Sequence, residues 1–418
     1  MIHVAAERIS ELLTDDRGRK GVLIGLAVLF LTVLFGLPPF LSWTRTVSRP
    51  GRIADTHWRR ASQLTGPQDW ASPNSIAFGD ERWVMVGSIG TSDASPAAWY
   101  STDGQAWKPA SVEVDPAGDT TAAQIASVAY AHRTWIAVGS AIAFGHSDAA
   151  VWQSSDGANW RRVAAGSTAL GGPGLQTMFD VVADSSGWLA VGAENFGGDA
   201  NGAVWRSSDG TNWTRNSDAG DAFGGPGDQV MAAVTHAEPD LWIIGGRQDL
   251  DEHSDAVVWS SSDGVSWHRQ DAREFQGSRD DAIYDVATAD GKIVAVGATR
   301  LDQEVDAVIW TSRDGKVWTR VPFSREIFGG VLQQTAKALT HAPGRWIAAG
   351  ENESSGAFNP VVWTSRDGSH WARVETDEFR EARRSRMISV TSHKDTIIAV
   401  GTRDDGVGQL GASWRRRS

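Results

Sequence analysis

Seven short apolar runs mark the chain at near-equal spacing, and each ends in glycine. They are WVMVG from Trp83, WIAVG from Trp135, WLAVG from Trp188, WIIGG from Trp242, IVAVG from Ile293, WIAAG from Trp346 and IIAVG from Ile397. Five residues that are apolar on both faces suit a strand covered on both sides. A second run precedes each of them, such as SVAYA before His132 and DVATA before Asp290. A third element follows, with the pattern W-x-S-x-D-G-x-x-W. It occurs at Trp99–Trp107, Trp152–Trp160, Trp205–Trp213, Trp259–Trp267, Trp310–Trp318 and Trp363–Trp371. Asp-Gly between two strand-like runs is a tight hairpin signal, because glycine accepts the positive φ of the turn. The Ser and Asp side chains can satisfy turn backbone groups. Each unit therefore predicts four strands, a, b, c and d, with the hairpin between c and d.

The first Trp of the pattern recurs after 53, 53, 54, 51 and 53 residues, and Trp414 follows 51 residues after Trp363. About fifty residues with four short strands is the content of a propeller blade. The ends complete the count. The chain stops just after a c strand at Ser413-Trp414, and Thr56-His57-Trp58-Arg59-Arg60 reads as a d strand with no c before it. The fold expected is all-β: a seven-bladed β-propeller over residues 56–418, whose N-terminal strand completes the last blade and removes a sheet edge.

A different pattern precedes the repeats. No charge falls between Lys20 and Arg45, and residues 21–43 read GVLIGLAVLFLTVLFGLPPFLSW. That is long enough to cross a hydrocarbon core of about 30 Å as a helix. The rival is a cleaved signal peptide, but no A-x-A-like site follows the run. The organisation expected is a cytoplasmic tail at 1–20, a transmembrane helix at 21–43, a linker at 44–55 and the propeller. Basic residues flank both ends of the span, so they barely set its orientation. The short tail and large C-terminal domain favour the cell membrane as location, single-pass, with the propeller extracytoplasmic, and the short connection 44–55 into a d strand that begins on the hairpin face places that face nearer the bilayer.

Composition changes this picture in three ways. The chain has 418 residues, 21 Trp against 13 Phe and 3 Tyr, and that excess of one aromatic is what a copied Trp unit produces. It has no cysteine, which excludes disulfide staples, thiolate metal sites and cysteine nucleophiles. Its net charge of −12 argues against nucleic acid as a partner.

At its hairpins the chain resembles the Asp-box (BNR-repeat) propellers, which include the sialidases. The family motif is close to S-x-D-x-G-x-x-W. Here it is one residue shorter, as in Ser207-Ser208-Asp209-Gly210-Thr211-Asn212-Trp213. The likeness covers residues 56–418 as repeat architecture and implies a structural role for the box. Sialidase activity would imply an arginine triad, a Tyr nucleophile with a Glu partner, and an Asp acid. The F-R-I-P motif of those enzymes does not occur in this sequence.

Candidate chemistry is sparse. Arg247, Arg300 and Arg403 stand just after strand b, where guanidinium groups can grip a carboxylate or phosphate. Each is followed closely by an acid, Asp249, Asp302 or Asp404, which reads equally as a loop ion pair. Tyr284, beside Asp285 on an expected inner strand, is the one tyrosine placed as a nucleophile. His236, His341 and His393 are ring-spaced near a–b turns and read as turn histidines, so no metal is expected. The glycine-rich stretches 171–174 and 223–227 do not follow a strand and open a helix, which excludes a nucleotide loop, and no cofactor is expected. Asp148, Asp255 and Asp306 stand before c strands, and Arg380–Arg386 forms a basic stretch suited to an acidic partner or lipid headgroups.

In a propeller the a–b and c–d turns share one face and the b–c and d–a loops the other. The function expected is a non-catalytic binding or scaffold domain at the membrane surface. It would take a protein, peptide or glycan on the b–c and d–a face. The alternatives are a sialidase-like glycoside hydrolase and an assembly factor for a membrane complex.

Overall fold

The computed structural model describes residues 51–417 except 62–63, 65–69, 91–92, 116–119, 144–145, 164–165, 196, 217–219, 238, 271–272, 276–278, 302, 331, 355, 383 and 405–408. Almost every element in them is a strand. In the first unit Ala71–Gly79, Arg82–Ile89, Ser95–Ser101 and Lys108–Pro109 pair antiparallel in that order. The same meander recurs in seven units, although a single parallel pairing, Ser147 with Leu175, joins the second and third into one sheet.

The a strands are Ala71–Gly79, Thr120–Ala131, Leu175–Asp184, Asp228–Ala237, Asp280–Ala289, Gln334–Ala342 and Ser385–His393. Each touches the a strand of the next unit, and Ser385–His393 returns to Ala71–Gly79. The buried side chains divide the same way, into seven clusters that each lie between neighbouring units. Trp83, Met85 and Trp99 of unit 1, for instance, pack on Ile398 and Val400 of unit 7. This explains why strand b is apolar on both faces: Val84, Met85 and Val86 are all fully buried, between one neighbour and the other. The chain is a β-propeller.

The glycine that ends each apolar run has a steric cause. Every a strand carries a β-bulge at the same place, at residue 74, 126, 179, 232, 284, 337 or 388. The glycine of strand b lies beside the bent backbone. A Cβ on Gly297 would stand 1.8 Å from the Ala282 carbonyl oxygen, and one on Gly192 would stand 1.9 Å from that of Thr177. No side chain fits there.

The c–d hairpins are near-copies. In the third unit the Ser207 hydroxyl donates to Asp209 (3.1 Å) and accepts from the Gly210 amide (2.9 Å). Asp209 Oδ1 accepts the amides of Thr211 (2.8 Å) and Asn212 (2.7 Å), and the Trp213 indole donates to the Gly210 carbonyl (3.1 Å). The Asn212 and Thr211 amides hold the Asp209 carboxyl well below the usual carboxylate range. Gly210 takes φ +72°, as the turn demands. The first Trp of the pattern has a separate task in several units. The indoles of Trp152, Trp205 and Trp259 donate to the carbonyls of Glu113, Ala169 and Ala222, so each pins the loop that enters its own unit.

The termini meet as the sequence suggests. Trp58–Arg60 pairs antiparallel with Gln409–Arg417 as the d strand of unit 7. Arg52–Ala54, placed by sequence in a linker, adds a parallel edge strand to Trp371–Glu375 of unit 6. Asp55 then donates its amide to Glu375 and accepts from the buried Arg416 guanidinium at 2.6 Å.

The expected location at a cell membrane, with the propeller extracytoplasmic, is corrected. No helix among the described residues is long and apolar enough to cross a membrane. The α-helices there, Gly220–Phe223 and Asp377–Glu381, have four and five residues. At about 1.5 Å per residue these fall far short of a core about 30 Å thick. The expected span at 21–43 and the tail before it lie outside the described residues.

Candidate functional site

The seven bulges re-aim side chains around the axis that the a strands surround. The residue after the bulge is Asp180 in unit 3 and Asp285 in unit 5. Asp180 accepts from the Ser127 hydroxyl (2.7 Å), its neighbour's amide at Val181 (2.9 Å), and the Val234 amide of the next unit (2.9 Å). Asp285 accepts the Val286 amide (2.7 Å) and, across to unit 6, the Leu339 amide (2.6 Å). Each carboxyl thus ties one unit to the next. Both keep some contact with solvent along the axis, yet protein surrounds them. Loss of bulk water raises Asp180 to about 6. The same loss, with the charge of Asp180 added, raises Asp285 to about 8.

At the b–c end of units 5 to 7 a second group gathers. Lys337, the bulge residue of unit 6, holds its Nζ 4.3 Å from the ring centre of Tyr284, the bulge residue of unit 5. The same Nζ is 3.8 Å from Glu351 Oε1, and Arg386 Nε of unit 7 is 3.5 Å from Glu351 Oε2. The Arg386 guanidinium lies 3.8 Å from the ring centre of Phe358 on strand c of unit 6. The side chains of Glu351, Lys337 and Arg386 are 13%, 18% and 24% exposed, so they are reachable yet shielded from full solvent screening. Glu353, two residues on, is buried, and burial followed by the Glu351 charge raises its carboxyl. Two cations, a carboxylate and two aromatic rings from three adjacent units thus share one mouth.

The residues singled out by sequence fall in several places. Tyr284 is in this mouth, and Asp285 is below it on the axis. Arg247, Arg300 and Arg403 are not brought together. They lie on the b strands of units 4, 5 and 7 at different registers, opposite Val230, Asp280 and Ser385. Arg247 Nε donates to both oxygens of Asp249 (2.9 Å each), and Arg300 stands 3.5 Å from Asp280. The basic stretch 380–386 is largely neutralised: Arg380 pairs with Glu375 and Asp377, Arg384 with Asp404, and Arg386 with Glu351. His236 stacks on Trp242 (4.2 Å), His393 on Phe78 (3.7 Å), and His341 packs on Trp346. Among the described residues no three His, Asp or Glu side chains are grouped as a metal site. Asp148 and Asp306 lie within c strands, where burial raises their carboxyls.

One recurrent feature escaped the sequence reading. An arginine stands two residues after the hairpin Trp and turns into its own unit. Arg320 reaches Asp281 (3.1 Å), Arg373 reaches Gln334 (3.0 Å), and Arg215 reaches Glu194 (3.4 Å). These partners are buried, and burial lowers Arg373 to about 10. The signal was present as W-x-R after the hairpin, but its partner sits on another strand. Lys337 and Glu351 were missed for the same reason: neither belongs to a local motif.

No family model matches this chain, and no curated protein does. Among solved structures it is similar to a polysaccharide lyase described as PL25 ulvan lyase, with 10% identity, a TM-score of 0.54, and coverage of 84% of this chain and 95% of that one. It also matches a Trypanosoma rangeli sialidase at 11% identity and a TM-score of 0.46, covering 87% of this chain and 59% of that one. A Bombyx mori GH32 β-fructofuranosidase matches at 11% identity and a TM-score of 0.36, with coverage of 87% and 92%. At such identity the first likeness establishes a shared fold alone.

Proposed function

We propose that the chain is a seven-bladed ring that binds a glycan at the b–c mouth of blades 5 to 7. The observation that carries this reading is the Glu351 carboxylate held between Lys337 and Arg386, with each cation seated on an aromatic ring. A cation held by a ring face and an ion pair is a preorganised donor for sugar hydroxyls. One carboxylate, Glu351, stands between two cations, so their charge is only partly balanced. That imbalance favours a saccharide carrying a carboxylate. The polysaccharide lyase of similar fold acts on a polysaccharide, which agrees with this class of ligand.

The test is glycan-array screening of the full chain, followed by calorimetry on the best saccharide. Glu351→Ala and Lys337→Ala should each weaken binding about tenfold, about 1.4 kcal/mol. Saccharide binding unchanged in both variants would remove this reading. A sialidase-like enzyme is the second reading, favoured by Tyr284 lying under Lys337. Tyr284→Phe would then keep binding and abolish product release. Crosslinking that finds a protein client dependent on the same loops would point to a scaffold instead.

A further inference from the structure

The opposite end of the ring carries a surface that the glycan reading does not use. Where the termini meet, Arg59 stands directly opposite Arg415 in the antiparallel pair. Arg417 follows two residues on, and Arg59, Arg415 and Arg417 line an open groove together with Asp103 and Gln105 of the first hairpin. Three arginines share this groove with one carboxylate on a chain whose net charge is −12. Asp103 lends Arg415 part of a counter-charge, and it is also engaged by its turn, accepting from the Ser101 hydroxyl (2.9 Å) and the amides of Gln105 (2.8 Å) and Ala106 (3.0 Å). Like charges directly opposite on paired strands destabilise a sheet unless a counter-charge lies between them.

Arg415 is the most telling member. It is 7% exposed, and its Nε has no hydrogen-bond partner. Burial and then the charge of Arg417 push its guanidinium down from the usual arginine range. Arg59, by comparison, spends Nη1 on the carbonyls of Trp58 and Thr56. Elsewhere in the ring one basic side chain meets the next hairpin and donates to a carbonyl of it. Arg206 donates to the Asp263 carbonyl at 2.8 Å, Arg82 to that of Asp156, and Lys292 to that of Asp367. The seam gathers extra arginines because two basic segments, RR at 59–60 and RRR at 415–417, are brought together there.

We propose that this seam is a binding site for a phosphate or sulfate group, held by Arg59, Arg415 and Arg417. Planar guanidinium forks match tetrahedral oxyanions in bidentate geometry, and several along one groove select a multiply charged group over chloride. Because the site joins the first strand to the last, its ligand also clamps the ring closed.

The experiment is calorimetry and thermal unfolding of the full chain in sodium phosphate and sodium sulfate, against chloride at matched ionic strength and pH. Saturable binding and a rise in Tm are expected. Arg415→Gln should weaken binding at least tenfold. Arg417→Gln, at an exposed position whose loss leaves the fold intact, should weaken it several-fold. Lys337→Ala, which removes a cation at the other end of the ring, should bind the anion unchanged, which separates this site from the glycan mouth. A monosaccharide sulfate and a monosaccharide phosphate decide the source of the group. Tighter binding than the free ions identifies a sugar-borne ester, and equal binding identifies the free ion. No saturable response in the unaltered chain, or equal binding by both arginine variants, overturns the proposal.

Discussion

A carboxyl with little water around it prefers its proton, and Asp285 shows how far that preference runs. Its pKa in the fold is about 8, and that of Asp180 is about 6, against an ordinary value of 3.8. The folded state therefore binds these protons more tightly than the unfolded state. The stability this contributes is complete below about pH 4 and is lost as pH rises through about 6 and then about 8. Asp285→Asn keeps an acceptor for the Leu339 amide and removes the titration. Relative to the unaltered protein it should be more stable at pH 8.5 by roughly 1–3 kcal/mol, allowing for water along the axis, and nearly equal at pH 3.5. Chemical denaturation at the two pH values reads this directly, and a difference that does not change with pH would show that Asp285 is not the titrating group. Arg320→Ala is a companion case. It leaves the buried Asp281 unpaired and should cost about 3 kcal/mol, whereas Arg320→Ala with Asp281→Ala should recover much of that loss.

At the scale of the strand and the turn, the two glycine classes differ in kind. Gly210 is required by its φ, and Gly297 by the carbonyl oxygen 1.8 Å from where a Cβ would stand. Gly297→Ala should therefore be the harsher change, above roughly 3 kcal/mol or unfolded outright, because the bulge must be rebuilt. Asp209→Ala removes bonds to two turn amides and should cost about 1–2 kcal/mol in urea unfolding. The reverse order of severity would show that the hairpin, and not the bulge, is the rigid element. The hairpins were legible in the sequence because every partner in them lies within a few residues. The bulge was not. The apolar run ending in glycine was visible, but what the glycine avoids is a carbonyl on another strand. Tyr284 was singled out as an inner-strand residue, and only the bulge explains why its ring meets Lys337 of the next unit.

Over the whole molecule, stability rests on seven interfaces of similar composition, and the last is sealed by the N-terminal strand. Trp58 is fully buried in the cluster between units 6 and 7, together with Trp414. Deleting residues 410–418 strips the c strand from unit 7 and leaves Trp58–Arg60 without a partner. The product should expose two unpaired strands and aggregate. Light scattering after size exclusion, with a melting curve, decides it: a monomer as heat-stable as the full chain would mean that the ring does not depend on this closure.

The sequence by itself determined the repeat, the four strands of each unit, the hairpins and the pairing of the two ends. All of these rest on spacing and on contacts within a few residues. Tertiary structure decided the rest. It separated Arg247, Arg300 and Arg403, although they look equivalent in the chain, because each occupies a different register on its strand. It joined Tyr284, Lys337, Glu351 and Arg386, which no local motif connects. It also set two arginine-rich segments against one hairpin to make the seam. The physical reason is common to all three. A blade is specified by neighbours along the chain, whereas a site in a ring is assembled by strands about fifty residues apart, and their charges meet only after closure.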